Sequence, residues 1–133
     1  MLNLELLQQV RDKILFEPES HKQEVWMTTG ADVKPGQEVS CPTGACVAGW
    51  ASLLSGDVGI VHDSLTDAHD NLMVYDVRTP DGQVLEVSER GQELLGLDFI
   101  TAETLFAEDN STPYVLDQLD NLIAEAKEER NLA

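Results

Sequence analysis

The residues of this chain with the greatest capacity for chemistry are two cysteines, two histidines and a group of aspartates. Cys41 and Cys46 stand five apart in CPTGACVAGWASLLSG, and His62 and His69 seven apart in HDSLTDAHD. A thiolate near a helix N-terminus is stabilised by the helix dipole, so Cys41 with His62 or His69 could form a nucleophile and its base. The same four residues have the types that bind zinc, but C-x4-C with H-x6-H lies outside the commonest finger spacings. Asp63, Asp67 and Asp70 with His69 could hold a hard cation, yet they lack the alternating Asp and central Gly of a calcium loop. Plainer readings outrank all three. Cys41 is expected before the helix cap and Cys46 inside the helix, so both read as reduced thiols packed as small apolar groups. HDSLTDAHD reads as a capped surface helix with Ser64 at its start. There is no glycine-rich phosphate loop, Ser-His-Asp arrangement or spaced pair of helical carboxylates, so the chain is not expected to be an enzyme. No catalytic residue, metal ligand or cofactor is assigned.

The elements that must position these residues follow from periodicity. Leu6, Leu7, Val10 and Ile14 recur at helical spacing behind Asn3, a good N-cap, and Pro18 ends that helix near Phe16. Ser20 is placed to cap a short helix, HKQEVWMT, that turns Val25 and Trp26 inward, and residues 30–42 read as a loop. Thr43 and Gly56 then bracket a helix in which Gly44, Ala45, Ala48, Gly49, Ala51 and Ser52 leave almost no side chain on one side. Small residues four apart let another backbone approach closely, while Val47, Trp50, Leu53 and Leu54 supply bulk. At about 20 Å this helix is too short to span a bilayer. Next, LMVYDVR and QVLEV form a hairpin about TPDG, with Met73, Tyr75 and Val77 sharing a face with Leu85 and Val87. Ser88 is expected to cap a helix ended by Gly96, and Thr101 to begin another reaching Leu105 and Phe106. The last helix has Thr112 as N-cap, Pro113 at its first position and Val115, Leu119, Leu122, Ile123 and Ala126 on its buried face. The expected fold is α+β, a single mainly helical acidic domain over residues 1–133, with one β-hairpin packed on the central small-residue helix.

CPTGACVAGWASLLSG, the upstream segment from Pro18 to Trp26, and the downstream GQELLGL and AETLF together resemble a family of small proteins from actinobacteria and their bacteriophages. That family carries the motif C-G-T-x-x-C-x-A-G-W-A, matched here at Cys41, Thr43, Cys46, Ala48, Gly49, Trp50 and Ala51. The chain departs from it at Pro42, where the family usually has Gly. The likeness extends from about Pro18 to Phe106. It implies a bacterial or phage accessory protein and brings no chemistry with it.

Charge points to a kind of partner. Among 133 residues, 25 Asp and Glu against 8 Lys and Arg give a net charge of -17, which opposes direct binding of nucleic-acid phosphates. No Lys or Arg occurs between Lys34 and Arg78, nor between Arg90 and Lys127. The amphipathic, acid-containing start is unlike a secretory or transit peptide, and no apolar run is long enough to cross a membrane, so a cytoplasmic protein is expected. Glu103, Glu108, Asp109, Asp117, Asp120, Glu125 and Glu128 are expected to form a negative face that binds a host protein with a basic surface, as an inhibitor or DNA mimic. The other functions in view are a cysteine- or zinc-dependent enzyme or module, and a structural subunit of a phage particle. Oligomeric state is left open by the sequence.

Overall fold

The computed structural model describes residues 1–29, 33–40, 42, 44–66 and 71–132. They form five α-helices and a four-stranded antiparallel sheet around one contiguous apolar core. Asp67, His69 and Asp70, expected in a helix, lie outside the described residues, as do Cys41 and the expected cap Thr43.

Helix α1, Leu4–Phe16, follows its apolar spacing: Leu6, Leu7, Val10 and Ile14 are buried. Asn3 caps it, its side-chain oxygen accepting from the Leu6 N–H at 3.2 Å while its amide donates to the Leu94 carbonyl at 3.0 Å. Pro18 then opens a single 3-10 turn, Pro18–Ser20. The helix expected after it does not form, because the backbone of that segment bonds to the strand-like approach to the small-residue helix. Lys22 N–H donates to Ala45 O, Thr28 N–H donates to Gly44 O, and Cys46 N–H donates to Val25 O. His21 and Met27 both form β-bridges with Ala45. Met27 is buried, whereas Val25 and Trp26 are only half-buried.

For the same reason helix α2 is shorter than its small residues suggest. It runs over Val47–Leu54, with Cys46 at the N-cap instead of inside the helix. Gly56, at φ 93°, follows its end as expected. Trp50 is buried and donates its indole N–H to the Ser20 carbonyl at 2.9 Å, and Lys13 Nζ sits 4.7 Å from the ring centroid. Close backbone approach occurs at Gly49, which faces the Trp26 carbonyl, at Gly91 of the next helix, which faces Ala48, and at Gly96, which faces the Met1 carbonyl.

The sheet has the order β1-β2-β3-β4, formed by Glu38–Val39, Val58–Thr66, Leu72–Arg78 and Val84–Glu86. Two of these strands were not expected: β1 falls within the anticipated loop, and β2 takes in Ser64, anticipated as a helix cap. The β3–β4 hairpin turns at Pro80-Asp81-Gly82, with Gly82 at φ 90° and its N–H donating to Thr79 O at 2.9 Å. Val77 pairs with Leu85 as expected, but the face assigned to β3 holds only there. Ile60 pairs with Asp76 and Val61 with Val74, which leaves Tyr75 as an extra residue in β3. This bulge reverses the alternation, so Val74 is buried in place of Tyr75.

Helix α3, Val87–Leu95, leaves β4 without a loop, so its N-cap is Glu86 and not Ser88, and Gly96 ends it at φ 73°. Helix α4, Phe99–Phe106, begins two residues earlier than expected because Asp98 caps it, accepting from Thr101 N–H at 2.7 Å. That bond holds the Asp98 carboxyl below its ordinary range. Helix α5, Thr112–Leu132, buries the five residues expected of it. Its cap is shifted by one: Ser111 O accepts from Val115 N–H and Ser111 Oγ from Tyr114 N–H. Helices α1 and α5 run antiparallel, joined at one end by Arg130 to Glu5 and at the other by Arg11 to Asp120 at 2.6 Å. Among the described residues, no helix is long and apolar enough to cross a membrane.

Candidate functional site

The cysteine and histidine chemistry is not assembled among the described residues. Cys46 is 1% exposed, and its thiol lies 3.9 Å from the Trp26 carbonyl. Burial pushes the thiol up to about 12, against the weaker opposite pull of the Gly49 and Ala48 backbone N–H groups. Relative to an ordinary cysteine this leaves roughly a thousandfold less thiolate at neutral pH, so native Cys46 should resist iodoacetamide. Peptide mapping of protein alkylated with and without urea checks this: fast native labelling of Cys46 would contradict its burial. His62 is occupied too, its Nδ1 accepting from the N–H groups of Ser64 and Leu65, each at 3.1 Å. Its ring meets Tyr75 edge-on at 6.1 Å. No three His, Cys, Asp or Glu side chains converge as a metal site among the described residues.

All seven acids expected on the negative face are exposed. They are not equivalent. Asp120 is the ion-pair partner of Arg11, and the cleft beside it also receives Lys127, so the negative stripe on α5 is interrupted by cationic groups. Asp117, Glu125 and Glu128 lie away from the buried stripe of that helix.

Glu103 and Glu108 belong to a different environment. On α4, Phe99, Ala102 and Phe106 follow helical spacing and line a groove of about 490 Å³. Ser88, Glu89 and Gln92 of α3 line it as well, together with Glu86 and Trp26. Trp26 and Phe106 also line a second hollow of about 170 Å³, bordered by Met73, Tyr75, Glu24 and Glu108. Phe99 is 65% exposed, unusual for an aromatic side chain at the start of a helix. Neither hollow has a Lys, Arg or His in its lining among the described residues.

A buried polar chain fixes the two aromatic walls relative to each other. The Gln23 amide donates to the carbonyls of Leu105 at 2.8 Å and Ala107 at 3.0 Å, so its oxygen faces His21. His21 Nε2 therefore donates to Gln23 Oε1 at 2.7 Å, and His21 Nδ1 accepts from the Thr112 hydroxyl at 2.7 Å. The chain ties the segment carrying Trp26 to the end of α4 carrying Phe106 and to the start of α5. Sequence reasoning missed this site because it assigned Trp26 to the core. The available signal was the aromatic spacing of Phe99 and Phe106 next to Glu103. Comparison of the chain with protein-family models, with curated proteins and with solved structures finds no match to any of them.

Proposed function

We propose that this is a non-catalytic accessory protein of bacterial or phage origin that binds a basic host protein through its acidic surface, displacing nucleic acid from it. The observation that carries this reading is the distribution of charge: the chain has a net charge of -17, and Glu103, Glu108, Asp109, Asp117, Glu125 and Glu128 all stand exposed. Such a surface repels phosphate and attracts the kind of surface that binds phosphate. The resemblance of CPTGACVAGWASLLSG to a family of actinobacterial and phage proteins supports the accessory role. In this reading the β3–β4 hairpin, packed over the α2 core, serves as scaffold, and the protein works in the cytoplasm without a cofactor.

The test uses Asp117→Asn, Glu125→Gln and Glu128→Gln together, avoiding Asp120 because its loss would free Arg11. With a DNA-binding protein captured from host lysate, the parent chain should associate rapidly at low salt, weaken as salt rises and compete with duplex DNA. The triple variant should associate several-fold more slowly and with a shallower salt dependence. Equal rates and equal salt slopes for parent and variant would remove α5 from the binding surface. A partner that binds the chain and DNA simultaneously would overturn the mimicry.

A further inference from the structure

We infer that the groove between α3 and α4 is the anchor site for the partner, and that it receives an apolar segment of a protein flanked by Lys or Arg. This rests on the reading of a basic protein partner and specifies what that partner must present.

Three observations lead to this occupant. First, the lining is aromatic and apolar with exposed acids beside it: Ala102 and Phe106 are buried, Phe99 stands exposed, and Glu86, Glu89 and Glu103 are exposed, with no cation in the lining among the described residues. Occupants that are anionic, or wholly polar, leave either the acids or the apolar lining unmatched. A basic amphipathic segment satisfies both, since its apolar side chains cover the rings and its cations meet the glutamates within the roughly 8 Å reach of charge at physiological salt. A second copy of this acidic chain is opposed by like charge.

Second, the site extends over two hollows. Those of about 490 and 170 Å³ share Trp26 and Phe106 in their linings, and the smaller hollow is again bordered by acids, Glu24 and Glu108. Two adjoining depressions with the same combination of apolar lining and acids suit successive side chains of a peptide better than one compact molecule.

Third, the walls are held before anything binds. The Thr112–His21–Gln23 chain fixes the end of α4 against the Trp26 segment, and the Trp26 carbonyl is seated where Gly49 leaves no room for a side chain. A preformed groove avoids the ordering cost that weakens flexible surfaces.

The test titrates the full chain with three synthetic peptides of equal length and reads the Trp26 indole N–H signal by NMR, assigned with Trp26→Phe. One peptide has Leu and Phe at helical spacing with Lys and Arg elsewhere. In the second, Ser replaces the apolar residues, and in the third, Glu replaces the basic ones. The first should shift the Trp26 signal and bind at least tenfold more tightly than either control. Phe99→Ser, at an exposed position, and Glu89→Gln with Glu103→Gln should each weaken it at least fivefold.

Equal binding of the Ser peptide, with Trp26 unmoved, would overturn the groove as anchor while leaving the acidic-surface reading intact. Equal binding of the Glu peptide would overturn the charge requirement. If neither basic peptide binds at low salt, both this inference and the reading beneath it fail. If tetramethylammonium alone shifts Trp26 and displaces the first peptide at equal concentration, the site belongs to a small organic cation and the inference is wrong.

Discussion

Gly49→Ala, the smallest substitution available, should destabilise the protein by more than about 3 kcal/mol. At an ordinary helical position the same change would stabilise it, since alanine is favoured over glycine by about 0.8–1.0 kcal/mol in a helix interior. The sign is reversed here by geometry. A Cβ on Gly49 would lie 1.9 Å from the Trp26 carbonyl oxygen and 2.8 Å from the Ala45 Cβ. Overpacking a core that can relax by off-rotamer side chains and small backbone shifts costs about 1–3 kcal/mol, and more where it cannot relax. The Trp26 carbonyl belongs to the backbone, and its segment is held by bonds from Cys46 to Val25 and from Thr28 to Gly44, so no rotamer change relieves the clash. Urea unfolding of parent and variant gives the answer. A variant as stable as the parent, or more stable, would mean that α2 does not sit against the Trp26 segment. A folded but weakened variant should also show a displaced Trp26 indole signal, because the displaced carbonyl and the groove aromatic are one residue.

Legibility in the sequence followed locality. Asn3 as the cap of α1, Gly56 after α2, Gly82 in the hairpin turn and Gly96 after α3 were readable because each satisfies a requirement of its own few neighbours. The failures involve partners distant in the chain. HKQEVWMT has a tolerable helical pattern, but its backbone groups bond to Gly44, Ala45 and Cys46 some twenty residues away. That pairing also delays α2 to Val47 and makes Cys46 its cap. Strand β2 was hidden by HDSLT, whose polar residues resemble a helix start until β3 supplies the ladder, and the Tyr75 bulge is visible only in the register of that ladder. Of the candidate site, the acids were legible as exposed, since charged residues seldom lie buried. The pairing of Asp120 with Arg11 and the gathering of Glu86, Glu89 and Glu103 around aromatic rings depend on how α1, α3, α4 and α5 meet.

An ion pair helps to hold α3, one wall of the groove, against α2, and Arg90→Met should cost about 3–5 kcal/mol, the range for breaking a buried pair by removing one partner. The Asp57 side chain is 0% exposed and that of Arg90 15%. Arg90 Nε donates to Asp57 Oδ2 at 2.7 Å and its Nη2 to Oδ1 at 3.1 Å, while Ser52 Oγ donates to Oδ2 at 2.7 Å. The carboxylate thus joins the last turn of α2 to α3, next to the contact of Gly91 with Ala48. Hydrogen bonds to Asp57 hold the Arg90 guanidinium above its ordinary pKa. Methionine keeps much of the arginine stem but removes both donors, leaving a buried carboxylate with the Ser52 hydroxyl. The burden should fall on the unpaired charge and not on lost packing, and the double variant distinguishes the two. Asp57→Asn combined with Arg90→Met removes the charge as well as its partner, so it should lose less stability than the sum of the single changes by at least about 1 kcal/mol. Chemical denaturation of the four proteins closes this cycle. Additive losses would show that Asp57 and Arg90 contribute separately and that their ion pair is not what holds α3 against α2.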